Sequence, residues 1–275
     1  GDNKISVGSN AIGIYAKNAT GALNIKAPID IAASGTKTTI GIYTDGDAKV
    51  KFGDNSKLTI GEGAVGLYSS DATKFNNTFE IETGKKLEVE LGKKSTFALL
   101  NGNKTSTNSP LLSKYLNNGT TDKIEITQFA EGASLFYATS KAKAVLDEDY
   151  TVTNGDAAST SVLVANDGAN VEVANGKTLT TNTQVALAAT DGANPPAGNG
   201  STAENKGAIV SNRTNNGIGI YAKDGGSKAI NDGTITMMGK AAAGMYGEDI
   251  TTFENKAGKS IEVKEETSVG MYAKV

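Results

Sequence analysis

Ile12-Gly13-Ile14-Tyr15-Ala16 returns as Ile40-Gly41-Ile42-Tyr43-Thr44, Val65-Gly66-Leu67-Tyr68-Ser69, Ile218-Gly219-Ile220-Tyr221-Ala222, Ala243-Gly244-Met245-Tyr246-Gly247 and Val269-Gly270-Met271-Tyr272-Ala273. Six copies of the order apolar, Gly, apolar, Tyr, small mark a repeat protein. Weaker copies fill the middle: Phe97-Ala98-Leu99-Leu100-Asn101, Ser134-Leu135-Phe136-Tyr137-Ala138, Ser161-Val162-Leu163-Val164-Ala165 and Val185-Ala186-Leu187-Ala188-Ala189. Tyr43 to Tyr68 and Tyr221 to Tyr246 are each 25 residues, which sets the unit. Between copies lie segments of alternating apolar residues, such as Lys57-Leu58-Thr59-Ile60, Lys86-Leu87-Glu88-Val89-Glu90-Leu91 and Ser260-Ile261-Glu262-Val263. Such alternation reads as half-buried strand. Asp45-Gly46, Asp167-Gly168, Asp191-Gly192 and Asp224-Gly225 follow the motif and supply bends that need positive φ.

A unit this short cannot stand alone. Ordering its backbone costs about 1–2 kcal/mol per residue, while each buried aliphatic side chain returns about 1.5–3 kcal/mol. Stacking on neighbours closes the gap, and stacked coils of short strands make a parallel β-helix. The spacing predicts one all-β domain over 1–275, a parallel β-helix solenoid of about ten coils rising roughly 4.8 Å each. Propeller blades need longer units, and leucine-rich repeats need a Leu ladder that these copies lack.

Strict alternation places Ile12, Ile14 and Ala16 on one face and Gly13 with Tyr15 on the other. The position of Ile14 stays apolar at Ile42, Leu67, Leu99, Phe136, Leu163, Leu187, Ile220, Met245 and Met271, so that column is the expected core. The Gly/Tyr pair is then expected to face out, leaving a shallow groove beside tyrosine ladders at Tyr15, Tyr43 and Tyr68 and at Tyr221, Tyr246 and Tyr272. Such a ladder can support strand register. It can equally serve as a strip that binds sugar or protein.

Two insertions interrupt the repeat, at 101–122 and 190–204. Within the first, Ser109 can N-cap, Pro110 suits the first helical position, Leu111, Leu112, Tyr115 and Leu116 share a face, and Gly119 can terminate. A short helix near 109–118 is expected. The second runs through Asn194, Pro195 and Pro196 without a large apolar anchor, which predicts an exposed loop. The candidate ligand-binding residues are therefore Leu111, Tyr115, Leu116, Asn194, Pro195, Pro196, Tyr221, Tyr246 and Tyr272.

The 275 residues include no Cys, His or Trp. That removes thiolate nucleophiles, His bases and the usual zinc ligands, and no enzymatic activity, cofactor or metal is expected. Asp45, Asp47 and Asp54 match no calcium-loop pattern. Lys and Arg total 27 against 30 Asp and Glu, and Arg213 is the sole arginine, which argues against nucleic acid as a partner. No apolar run approaches the roughly 20 residues of a membrane helix. The polar opening Gly1-Asp2-Asn3-Lys4, without Met, leads us to expect a piece of a longer protein.

The apolar-Gly-apolar-Tyr-Ala motif, alternating with an Asn/Gly turn and an Ile-x-Val strand in a Lys- and Asn-rich chain, resembles the passenger regions of the large fusobacterial-type autotransporter adhesins of type V secretion. The resemblance covers 1–70 and 205–275 well and the middle loosely. It implies a right-handed β-helix, export through an outer-membrane barrel, and display on the bacterial cell surface, on the extracellular side of the outer membrane. It further implies a monomer that attaches to host cells or other bacteria through a surface protein or glycan. No binding residues carry over, because the shared motif is scaffold. A pure stalk spacer and a β-helical polysaccharide-degrading enzyme are the competing functions. A trimeric adhesin of β-rolls is a structural alternative, since Asn10-Ala11-Ile12-Gly13 resembles its repeats, but those recur at about half this period.

Overall fold

A computed structural model describes residues 4–18, 21–31, 38–54, 56–71, 75–102, 123–191, 200–250 and 252–274. The chain forms a parallel β-solenoid. Each turn supplies up to three strands, one leading into the motif, the motif itself, and one trailing it. In the second turn these are Pro28–Ile31, Ile40–Asp45 and Lys49–Phe52. Returning to the same face after one turn makes every pairing parallel, and like positions stack: Tyr15 beside Tyr43, Tyr43 beside Tyr68, Tyr221 beside Tyr246, and Tyr246 beside Tyr272.

Only the motif face is continuous. Its ten strands, from Ile12–Lys17 to Val269–Lys274, form one sheet. The leading face splits into two five-stranded sheets, the break falling between Lys123–Phe129 and Tyr150–Val152. The trailing face splits into a three-stranded sheet ending at Phe79–Ile81 and a five-stranded one beginning at Lys143–Leu146. That second break spans the 101–122 insertion. A four-residue helix, Phe75–Thr78, precedes Phe79–Ile81, and buried Phe75 and Phe79 pack at 4.9 Å between ring centroids. The helix expected near 109–118 lies outside the described residues.

The aliphatic column is buried at Ile42, Leu67, Phe136, Leu163, Leu187, Ile220 and Met245. Ile14 is half-buried and Met271 exposed because they occupy the first and last levels, where one side has no neighbouring coil. Two sequence expectations need correction. The motif glycines face inward, not outward: a Cβ on Gly41 would lie 2.4 Å from Ile31 Cδ1, and one on Gly66 would lie 2.5 Å from Ile60 Cδ1. The motif strand bends at this position, so two consecutive residues turn toward the axis, and the isoleucine tips fill the space that glycine vacates. Where the motif lacks glycine, Phe97, Leu135, Val162 and Ala186 occupy the same interior position, all buried.

The second correction is a register slip in the fourth turn. Pairing sets Ala98 beside Leu67 and Leu99 beside Tyr68, so the motif there reads Thr96-Phe97-Ala98-Leu99-Leu100. Leu99 therefore belongs to the tyrosine column, and small Ala98 takes the core position beside bulky Phe97. The bends at two of the Asp-Gly turns follow expectation, with φ of 67° at Gly46 and 73° at Gly168, whereas at Asp224-Gly225 the positive φ falls on Asp224 and Gly226 and Gly192 lies outside the described residues.

Candidate functional site

Beyond the bend, alternation resumes, and the fourth motif residue points to solvent while the third and fifth point in. Stacking ten such strands makes a column running Tyr15, Tyr43, Tyr68, Leu99, Tyr137, Val164, Ala188, Tyr221, Tyr246 and Tyr272. The rings gather in two stacks. Tyr15, Tyr43 and Tyr68 follow one another at centroid distances of 5.1 and 4.8 Å, and Tyr221, Tyr246 and Tyr272 at 5.8 and 5.2 Å. The structure thus brings together the three tyrosines named as candidates.

Their hydroxyls are tied to a neighbouring row of polar residues. The Tyr15 hydroxyl donates to Asp45 Oδ2 at 3.1 Å and the Tyr246 hydroxyl to Glu248 Oε1 at 3.0 Å, while Asn101 Nδ2 donates to the Tyr68 hydroxyl at 3.0 Å. Lys17 and Lys223 close ion pairs with Asp45 and Glu248 at 3.2 and 3.3 Å. A hydroxyl from Ser70, then Lys17, holds the Asp45 carboxyl below the usual range, and the bond from Tyr246 does the same for Glu248. Burial among its neighbours, reinforced by the Glu248 charge, pushes the Tyr221 phenol up to about 12. Burial likewise raises Tyr43. These phenols are neutral donors at physiological pH. Because the rings lean on one another, inner ring faces are covered and only edges and hydroxyls reach solvent. Tyr15 and Tyr272, 54% and 46% exposed, keep one face open at either end.

Beside this column runs the edge where the motif strand turns into the trailing strand, and both sequence insertions fall after it. The described residues that bracket the insertions are Gly102 and Lys123 for the first and Asp191 and Gly200 for the second. The Phe75–Thr78 helix occupies the same corner of the third turn. Leu111, Tyr115, Leu116, Asn194, Pro195 and Pro196 lie outside the described residues, but the bases that carry them are defined. Buried Asp191 anchors the second base: its carboxylate accepts from Ser201 N at 2.5 Å, Ser201 Oγ at 2.6 Å, Ser227 Oγ at 3.0 Å and Gly168 N at 3.3 Å. Four donors compensate the loss of water around a buried charge.

A groove of about 560 Å³ opens beside Lys123, lined among others by Asp54, Lys57, Lys85, Lys86 and Glu88. Most of its charges are engaged, Lys85 with Asp54 and Lys57 with Glu90 at 2.7 Å, and Lys86 with Glu88 at 2.8 Å. Asp45, Asp47 and Asp54 do not converge: Asp45 bonds Ser70 and Tyr15 while Asp54 pairs with Lys85. No group of three potential metal-binding side chains occurs among the described residues.

Two features escaped the sequence reading. On the trailing face Asn205 Nδ2 donates to Asn231 Oδ1 at 2.8 Å, and Asn231 Nδ2 to Asn255 Oδ1 at 2.6 Å, a buried amide ladder. Its signal was visible as Asn205-Lys206-Gly207, Asn231-Asp232-Gly233 and Asn255-Lys256-Ala257-Gly258, an Asn at each strand end before a turn. Outside it runs an alternating charge ladder in which Glu172 meets Lys143 and Lys206 at 2.9 Å and Glu204 meets Lys206 at 3.2 Å and Lys256 at 3.4 Å. Asp232 extends it to Lys256 and Lys259. Burial opposes ionisation of Glu172, but the bonds from Lys206 and Lys143 outweigh it and hold the carboxyl below its ordinary range.

No family model, curated protein or solved structure matches this chain. Among the described residues no helix is long and apolar enough to cross a membrane.

Proposed function

We propose that this chain is a passenger segment of a bacterial surface adhesin, carried on the extracellular side of the outer membrane and attaching to a protein or glycan of host cells or other bacteria. The observation that carries the reading is the corner after the motif strand, beside the tyrosine column, where the repeat pattern of the sequence is interrupted after Gly102 and again after Asp191. A repeated scaffold surface offers no unique address, whereas irregular segments on a rigid frame do. The bonds of Asp191 to Ser201 and Ser227 tie together the residues that bracket the second insertion.

The reading includes no catalysis. The turn carboxylates it would need are occupied by lysines and hydroxyls, as at Asp45, Asp54 and Asp232. Purified protein is expected to release no unsaturated sugars from uronic-acid polymers, with or without calcium. A spacer is the second reading. The stacking of the tyrosines favours it, because rings whose faces lie against each other act first as a brace between coils.

Replacing 103–122 or 192–199 with a short Gly-Ser turn separates the two readings. Surface insertions contribute little to stacked-coil stability, so circular dichroism and melting should change little. Binding of labelled protein to cells and to a glycan array should fall for at least one replacement, alone or with Tyr221→Ser and Tyr246→Ser. Unchanged binding would remove the site from this edge, and an intact chain that binds nothing would leave the spacer.

A further inference from the structure

Four Asn-Gly pairs lie among the described residues: Asn101-Gly102, Asn154-Gly155, Asn175-Gly176 and Asn216-Gly217. An asparagine followed by glycine is chemically labile, because a residue without Cβ leaves its backbone nitrogen open to the preceding side-chain amide. The reaction needs that nitrogen free of a hydrogen bond, in contact with water, and the amide free to swing onto it.

Three of the pairs are held. Asn101 Nδ2 donates to the Tyr68 hydroxyl at 3.0 Å and Gly102 N to Thr139 O at 3.2 Å. Asn154 Nδ2 donates to Ile126 O at 2.9 Å and Gly155 N to Asn182 Oδ1 at 2.8 Å. Gly217 is buried, as are Gly102 and Gly155, and Ser211 Oγ stands 2.9 Å from where a Cβ on Gly217 would be.

Asn175-Gly176 differs on every count. Both residues are exposed at the corner between the strands Asn170–Val173 and Thr178–Thr181, and a Cβ on Gly176 would meet nothing within 4 Å. Among the described residues neither the Asn175 amide nor the Gly176 N–H makes a hydrogen bond. The turn is closed by Lys177 N donating to Ala174 O at 3.1 Å, with φ of 73° at Gly176. The same turn returns at Lys256-Ala257-Gly258-Lys259, where Lys259 N donates to Lys256 O at 3.1 Å and Gly258 has φ of 75°. Alanine stands there in the place of Asn175, so the turn does not need the amide.

We propose that Asn175 is a site of spontaneous deamidation in the folded protein. The Gly176 nitrogen gives its proton to hydroxide and bonds to Asn175 Cγ; the Cγ–Nδ2 bond breaks, and Nδ2 leaves as ammonia with a proton taken from water, which restores the hydroxide. Water then opens the five-membered imide at either carbonyl, leaving an aspartate or an isoaspartate. No oxidant or reductant takes part. Lys177, Lys206 and Lys259 line the same groove of about 410 Å³, a positive field that favours the backbone anion and then the new carboxylate. The product adds one negative charge to the formal −3 of the chain, and the isoaspartate form lengthens the main chain of the corner by one methylene.

The test is incubation of the folded chain in mildly alkaline buffer, followed by peptide mapping with mass spectrometry, beside a second sample kept unfolded in guanidinium. In the fold, Asn175 should exchange NH for oxygen and yield both isomers, while Asn101, Asn154 and Asn216 convert about tenfold or more slowly, because each must first open locally. In guanidinium all four should convert at similar rates. Asn175→Ala should remove the dominant event and leave circular dichroism and melting unchanged, as Ala257 already does in the matching turn. An Asn175 that keeps its amide in the folded sample while the unfolded one loses it overturns the proposal. So does conversion of the other three in the fold at the rate of Asn175.

Discussion

Replacing Asn231 with alanine probes the amide ladder where it is most enclosed. The Asn231 side chain is fully buried, accepting from Asn205 Nδ2 at 2.8 Å and donating to Asn255 Oδ1 at 2.6 Å, with longer contacts of 3.3 Å to Gly233 N, Gly233 O and Ser260 O. Alanine removes all of these. At about 1 kcal/mol net per hydrogen bond, the two short bonds account for about 2 kcal/mol, and stranding the Gly233 N–H and part of the Asn205 amide adds about 1–2 kcal/mol. Asn205 keeps Thr234 O at 2.9 Å, which limits the damage. The expected loss is about 3–4 kcal/mol. Asn255 is half-buried on the outermost rung and makes fewer bonds, so Asn255→Ala should cost about 1 kcal/mol or less. Guanidinium unfolding followed by circular dichroism gives the energies. Hydrogen exchange locates them: coils depend on their nearest neighbours, so protection should drop around Thr234–Met237 and persist at Lys86–Leu91. An Asn231→Ala loss below about 1 kcal/mol, or an equal loss from Asn255→Ala, would refute the ladder as a stabilising device.

Ile220→Asp places a carboxylate at a fully buried position and should abolish the folded C-terminal coils, so a soluble variant with unchanged strand signal would defeat the core assignment. Gly66→Val should destabilise by about 1–3 kcal/mol through overpacking, because the added carbon meets both Ile60 Cδ1 and the Phe97 carbonyl; a neutral melting temperature would show that the glycines are not interior. Glu172 has a folded value depressed from its ordinary 4.5, so its contribution to stability is present above that pH and drains away as pH falls through the lower folded value. Glu172→Gln should flatten the acid limb of a stability-versus-pH curve, and identical limbs would count against the Lys143–Glu172–Lys206 bridge. Tyr221 has its pKa raised from 10.0 to about 12, so the neutral form is favoured in the fold and that stability is lost as pH rises across this interval. A phenolate absorbance titration of Tyr221→Phe should lose a component near pH 12, and an unchanged curve would place Tyr221 in open solvent.

The repeat, its period and the parallel solenoid were legible in the residues because a strand bounded by a turn is a local pattern, and six motif copies recur with Tyr in the same place. The outward column was legible for the same reason, and Tyr221, Tyr246 and Tyr272 do meet in one stack. Period-two alternation failed at the glycines, since a bend sets two successive residues toward the axis, and only the Ile31 and Ile60 tips filling that space reveal it. It failed again at Leu99, where aligning by similarity misplaced the strand by one residue and pairing with Tyr68 sets the register. The Asn205–Asn231–Asn255 ladder and the Lys143–Glu172–Lys206 bridges join residues 24 to 34 positions apart. Such contacts exist only once coils stack, because it is stacking that brings equivalent side chains of successive turns within hydrogen-bonding distance and withdraws them from water. Local chemistry therefore determined what each coil is made of, while the faces it presents and the rungs it shares with its neighbours were decided by the stack.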